Sequence, residues 1–173
     1  MFLRSLATAA YCTLLATASL AQQPLASPAA SADVTINGKA ITIKYNSPRL
    51  KGRTIGSDIV PYGQVWRTGA NPATTLVTAT NLKIGTLDVP AGTYTIYTLP
   101  SADKWLLIVN KQNGQWGTEY NQPQDLGRTP MTSKPVPSSQ ENMSISFENT
   151  KGNTAELHVK WGTTDEYVAV KAQ

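Results

Sequence analysis

The chain has 173 residues, of which 40% are hydrophobic and 15% charged, and a formal net charge of +4. That excess is too mild for the clustered basic surface of a nucleic-acid binder. One cysteine and one histidine exclude a disulfide framework, a thiolate metal site and any multi-histidine centre.

Residues 1–21 read as a cleavable secretory signal. Arg4 supplies the positive start, Leu6 to Leu20 is apolar and uncharged, and Ser19 and Ala21 are small where a signal peptidase reads. The stretch is diluted by Thr, Ser and Tyr, whereas a spanning helix wants about 20 strongly apolar residues. Cys12 lies inside it, too early and preceded by Tyr11, so a lipoprotein signal does not fit. Cleavage after Ala21 leaves 152 residues with no thiol, fourteen basic against eleven acidic side chains, and a net charge of +3. A chain of about 150 residues buries roughly 68–70% of its unfolded surface, enough for one core. The expected product is periplasmic or extracellular and has no transmembrane segment, and no nucleic acid is expected as a partner.

Residues 22–32 (QQPLASPAASA) are small residues and prolines without an apolar period, which predicts a flexible tether before a single domain over 33–173. Val34-Thr35-Ile36, Asn37-Gly38 and Ala40 to Tyr45 predict a hairpin, because a type I′ turn needs positive φ at both central residues. Thr74 to Thr80, a short hairpin at Leu82 to Val89 around Gly85, and Thr93 to Leu99 follow as strands. Alternation there puts Tyr94 inward and Tyr97 on the opposite face. Trp105 to Val109 is continuously apolar, as in a strand buried on both faces. Met143 to Phe147 alternates, and Ala155, Leu157, Val159 and Trp161 line one face while Glu156, His158 and Lys160 line a solvated one. Tyr167 to Val170 closes the chain. About eight or nine strands and no helical period predict an all-β antiparallel sandwich, jelly-roll or immunoglobulin-like.

Two stretches resist this punctuation: Asn46 to Pro72, and Asn110 to Gln140 with a short edge strand at Arg128 to Lys134 limited by Pro130. Long loops in compact domains are often functional.

The block Val60 to Asn71 (VPYGQVWRTGAN) follows Tyr45-Asn46-Ser47-Pro48-Arg49 and Lys51-Gly52-Arg53. It precedes Pro90-Ala91-Gly92-Thr93-Tyr94, Tyr97-Thr98-Leu99-Pro100, Trp116-Gly117, and Asp125 with Arg128. In these residues the chain resembles a family of exported bacterial proteins of unknown function, from about Val34 to Val170. The resemblance implies a bacterial origin, export and a β-sandwich, and carries over no activity, ligand or catalytic residue.

Catalytic and metal chemistry find little support in the residues. His158 is the only imidazole and is expected on a solvated face, and no dense run of ligands suggests calcium or zinc. No cofactor is expected. Binding remains: Arg49, Arg53, Tyr62, Trp66, Arg67 and Asn71 crowd the first long stretch, with Trp116 and Arg128 from the second. Aromatic faces stack on sugar rings and arginine forks grip carboxylate or phosphate in pairs, so these residues suit an anionic glycan or a small carboxylate. The alternatives are architectural. Trp66 can plug the sandwich with its indole N–H on a carbonyl, and Arg67 can pair with Asp58. An enzyme whose carboxylates and arginines meet only in space is the third reading.

Overall fold

The computed structural model describes residues 26–173. The expected signal, Cys12 and the first four residues of the expected tether lie outside them. Strands β1 (Ala29–Ile36), β2 (Lys39–Asn46), β3 (Thr75–Thr78), β4 (Leu82–Ile84), β5 (Leu87–Val89), β6 (Gly92–Leu99), β7 (Leu106–Asn110), β8 (Asp125–Pro130), β9 (Thr132–Lys151) and β10 (Thr154–Ala172) follow in chain order. They make two antiparallel sheets, β1-β2-β3-β6-β7-β8 and β5-β4-β10-β9. This is the expected β-sandwich, with ten strands among the described residues instead of eight or nine.

The period-two pattern sets which side chains meet. Ile41, Ile43 and Tyr45 of β2, Leu76 of β3, Tyr94 and Ile96 of β6, and Leu107 and Val109 of β7 face Leu82, Ile84, Leu157, Val159, Trp161 and Val170 of the second sheet. Each buried Leu or Ile contributes about 1.5–3 kcal/mol against exposure. The β1–β2 turn carries Asn37 and Gly38 at φ 50° and 70°, as the Asn-Gly pair requires. Ile108 is as buried as its neighbours Leu107 and Val109, so β7 is covered on both faces. Its partner across the sheet is Tyr97, whose hydroxyl donates to Glu119 O at 3.4 Å and accepts from Gln115 Nε2 at 3.0 Å in the 111–124 loop.

Four expectations need correcting. β1 begins at Ala29, inside the expected tether, because Ala30 and Ala32 pair with Tyr45 and Ile43 of β2; the partner strand imposes an order that small residues do not announce. Most of the expected second loop is strand: β8 is the edge of the larger sheet, a few residues ahead of its expected place, and β9 already starts at Thr132. The two expected C-terminal strands are one, β10, continuous through irregular pairing around Gly162 at φ 58°.

The fourth is His158, which is fully buried. Along an extended strand, His158 and Tyr167 would stand about 30 Å apart. The β9–β10 ribbon instead bends so sharply that their rings stack at 5.0 Å. Nδ1 of His158 lies 2.7 Å from Asp165 Oδ1, and Nε2 lies 3.2 Å from Glu156 Oε2. A strand's outer face was thereby turned into an interior.

Candidate functional site

The first long loop, residues 46–72, bridges both sheets. Leu50 N–H donates to Glu141 O at 2.9 Å and Met143 N–H to Pro48 O at 2.9 Å, tying its start to β9. Ala70 N–H donates to Asn46 O at 3.1 Å, while Trp66 and Thr98 exchange backbone bonds of 2.8 and 2.9 Å. Trp66 therefore sits on β6 just beyond the first residue of β3. Holding this path requires unusual backbone. Lys51, Val60, Thr68 and Asn71 have φ of 50°, 52°, 51° and 60°. Val60 and Thr68 are β-branched, for which such φ is a strained outlier. Thr68 is fully buried, and its hydroxyl donates to Thr98 Oγ1 at 3.2 Å.

Between this loop and residues 117–120 lies an open cleft of about 490 Å³. Its aromatic lining is Trp66, Tyr97, Tyr120 and Trp161, and its cations are Arg53 and Arg67, with Asn71 beside them. Trp66 stacks on Trp161 at 5.7 Å and 15°, and meets Trp105 edge-on at 6.2 Å. Trp66 keeps partial solvent access. The indole-to-carbonyl bond expected of it is made by Trp161, whose Nε1 donates to Glu141 O at 3.1 Å.

The two arginines are oriented by carbonyls and left without a counter-charge. Arg53 donates from Nε to Leu50 O at 2.9 Å and from Nη2 to Arg49 O at 2.8 Å. Arg67 donates from Nε to Gly69 O at 3.3 Å, which leaves the end of its fork open. Among the described residues neither is in a salt bridge. Asp58, the partner expected for Arg67, instead accepts from Thr54 N–H at 2.8 Å. Gly117 seats Arg67: a Cβ there would lie 2.6 Å from Arg67 Cδ.

The charge is concentrated here. Residues 46–72 hold four basic side chains against one acid, a net +3, while the other described residues balance at ten against ten. Among the described residues, no carboxylate, imidazole or thiol lines the cleft.

Of the expected site residues, Arg53, Trp66, Arg67 and Asn71 meet in the cleft. Arg49 does not; it is exposed and pairs through its backbone with Asn142. Tyr62 is 46% exposed and lines a smaller neighbouring pocket, which Arg53 also lines. Trp116 is 49% exposed and lies outside the lining, beside Gly117, which is part of it. Arg128 stands behind the lining: it donates to Tyr120 Oη at 2.8 Å and to Asp125 Oδ2 at 3.0 Å, and Tyr120 donates to the same Asp125 oxygen at 2.6 Å. Burial, then Asp125, pushes the Tyr120 phenol up to about 12, and burial raises Tyr97 as well. Both hydroxyls hold their protons at neutral pH. Sequence reading missed Tyr97 and Gly117 as parts of the wall. Tyr97's orientation away from Tyr94 was its one visible signal.

A family model described as a protein of unknown function (DUF2911) matches residues 27–170. The chain belongs to the DUF2911 family. Comparison with curated proteins and with solved structures gave no match. The DUF2911 match spans every lining residue of the cleft, from Ser27 to Trp161. The cleft is therefore built wholly from the family region.

The other charged cluster of this DUF2911 chain is architectural. Around His158 stand Asp165 and Glu156, with Glu148 at 3.8 Å. Lys160 Nζ lies 2.5 Å from Glu148 Oε1 and 3.6 Å from Asp165 Oδ2. The hydrogen bond from Lys160 holds the Glu148 carboxyl below its usual range, and Asn149, then His158, do the same for Glu156. With the imidazole fully buried, no ligand reaches it.

Proposed function

We propose that this protein is an exported binding module whose cleft holds a small anionic ligand, a carboxylate on a sugar-like ring or a comparable oxyanion. One observation carries the reading. Arg53 and Arg67 stand in an aromatic cleft with no carboxylate partner among the described residues, Arg67 presenting an open guanidinium fork. A charge-assisted bidentate pair is the strongest use of such a fork. The volume falls within the roughly 300–1,000 Å³ usual for small-molecule sites. The architectural reading needed Arg67 paired with Asp58, and the enzyme reading needed a carboxylate in the cleft; neither contact is present among the described residues.

The test is a thermal-shift series with glucuronate, galacturonate, benzoate and inorganic sulfate, run on the protein and on Arg67→Ala. At a hundred times Kd a ligand adds about 2.7 kcal/mol, or roughly 5–10 °C for a domain of this size. The expected result is a shift with at least one of these anions, weakened by salt and absent in a folded Arg67→Ala. No shift with any of them, or a shift indifferent to Arg67, overturns the reading.

A further inference from the structure

Beyond Arg53 the cleft has a continuation of different chemistry. A second pocket of about 210 Å³ shares Arg53 with the cleft. That volume is below the roughly 300 Å³ at which small-molecule sites begin, so on its own it is too small to be one. As an extension of the neighbouring cleft it is sufficient for one further unit of a ligand.

Its lining says what that unit is. Leu50 and Ile55 supply an apolar base, and Tyr62 an exposed aromatic ring. Thr54, Ser139, Thr163 and Thr164 supply hydroxyls, and Arg53 is the only charged residue in the lining. Among the described residues, none of these side-chain hydroxyls, nor that of Tyr62, hydrogen-bonds within the chain. Buried threonine hydroxyls, by contrast, are engaged: Thr74 bonds Thr68 O, Thr78 bonds Thr80 O, and Thr68 bonds Thr98. Uncharged hydroxyls around an apolar base and an aromatic face complement a ring that is apolar on its faces and hydroxylated at its edge. A second carboxylate on that ring would meet only Arg53.

We infer that cleft and pocket are two subsites of one groove, and that the ligand is an acidic oligosaccharide. Its charged sugar lies by Arg67 and the adjoining sugar lies past Arg53 against Tyr62 and the hydroxyls. The inference rests on the anion-binding reading of the cleft and extends it from a single acid to a chain of sugars. An acidic peptide would offer the same charge, but its second unit would carry another carboxylate or an apolar side chain, for which five unengaged hydroxyls are a poor match.

The experiment is isothermal titration of the protein, of Arg67→Ala and of the exposed-site double variant Ser139→Ala/Thr163→Val. The probes are galacturonate, glucuronate and mannuronate, a tetrasaccharide alternating each with a neutral hexose, a neutral glucose tetramer and tetraglutamate. Two added net hydrogen bonds of about 1 kcal/mol each make a tetrasaccharide bind at least tenfold tighter than its monomer. The expected pattern is that gain for at least one acidic tetrasaccharide, its loss in the double variant with monomer binding unchanged, and loss of both in Arg67→Ala. Monomers that bind through Arg67 while no tetrasaccharide gains would overturn the second subsite and leave the cleft reading standing. Tetraglutamate matching the best tetrasaccharide would replace the glycan by a peptide. Absence of binding by monomers and tetramers alike would remove the cleft reading and the inference together.

Discussion

Gly117→Ala is the sharpest local perturbation of the cleft. Gly117 is buried and its N–H donates to Asn71 O at 3.1 Å, beside an antiparallel bridge between Pro72 and Trp116. An added Cβ would stand 2.6 Å from Arg67 Cδ, 2.8 Å from Asn71 O and 3.1 Å from Arg67 Cβ. The Arg67 tip can swing away, but the Asn71 carbonyl belongs to backbone already at positive φ and cannot yield as easily. Overpacking costs about 1–3 kcal/mol, and weakening the Gly117–Asn71 bond costs about 1 kcal/mol more. Reduced freedom of the unfolded chain returns about 0.4–1 kcal/mol. The net is a loss of roughly 1–4 kcal/mol, or about 2–14 °C in melting temperature. Calorimetric melting of the variant, followed by anion titration, reads both consequences. Adding Arg67→Ala to Gly117→Ala should recover part of the lost stability, since the closest of the three contacts disappears. A Gly117→Ala protein that melts and binds anions like the parent would refute the placement of Arg67 against Gly117.

Three further predictions concern the charged interior. His158→Phe keeps the stack on Tyr167 but leaves the nearly buried Asp165 with only Lys160, so it should lose about 3–5 kcal/mol; adding Asp165→Asn should restore much of it, and additive losses in urea titrations would contradict the network. Glu166 is buried, one oxygen accepts from Ser133 at 2.6 Å, the other has no partner among the described residues, and burial raises its pKa. An acid raised on folding is stabilising when protonated and loses that contribution as pH climbs from its unfolded to its folded pKa, so Glu166→Gln should raise the melting temperature at pH 7 and change it little at pH 3. Glu148 and Glu156 carry the opposite sign: their lowered pKa values give stability present above the unfolded value near 4.5 and lost as pH falls through the folded ones. Replacing both by Gln should flatten the acid limb of the stability curve, and an unchanged limb would place the acid sensitivity elsewhere.

Much of the sandwich was legible because it rests on short-range rules. Asn37-Gly38 fixed a turn, Ile41, Ile43 and Tyr45 fixed a face, and the unbroken Trp105–Val109 run announced a strand covered twice. The misreadings all involve long-range influence. Ala29–Ala32 is a strand because β2 needs a partner, not because alanine favours one. His158 reads as solvated by alternation, and only the bend near Gly162 brings Tyr167 over it. In the cleft, Arg53, Trp66, Arg67 and Asn71 were visible because they are crowded in one segment with few acids. Tyr97 and Gly117 were not, since a strand tyrosine and a loop glycine acquire their places only when the 46–72 loop docks on β6.

Strain, charge and aromatic surface converge on this one loop, and packing alone gives no reason for all three. A loop that merely closed a sandwich would relax its β-branched residues to negative φ, since each outlier costs of order 1–3 kcal/mol. It would also gain by placing an acid beside Arg67, and Asp58 is in the same loop yet bonds Thr54 N–H. The two β-branched outliers, Val60 and Thr68, instead sit in the wall of the cleft or next to Arg67. The net positive charge of the described chain resides in the same segment. These costs are borne together at the one place where an anion from outside would offset them: its charge would satisfy the open fork of Arg67, and its contacts would stabilise the backbone that holds the fork in position.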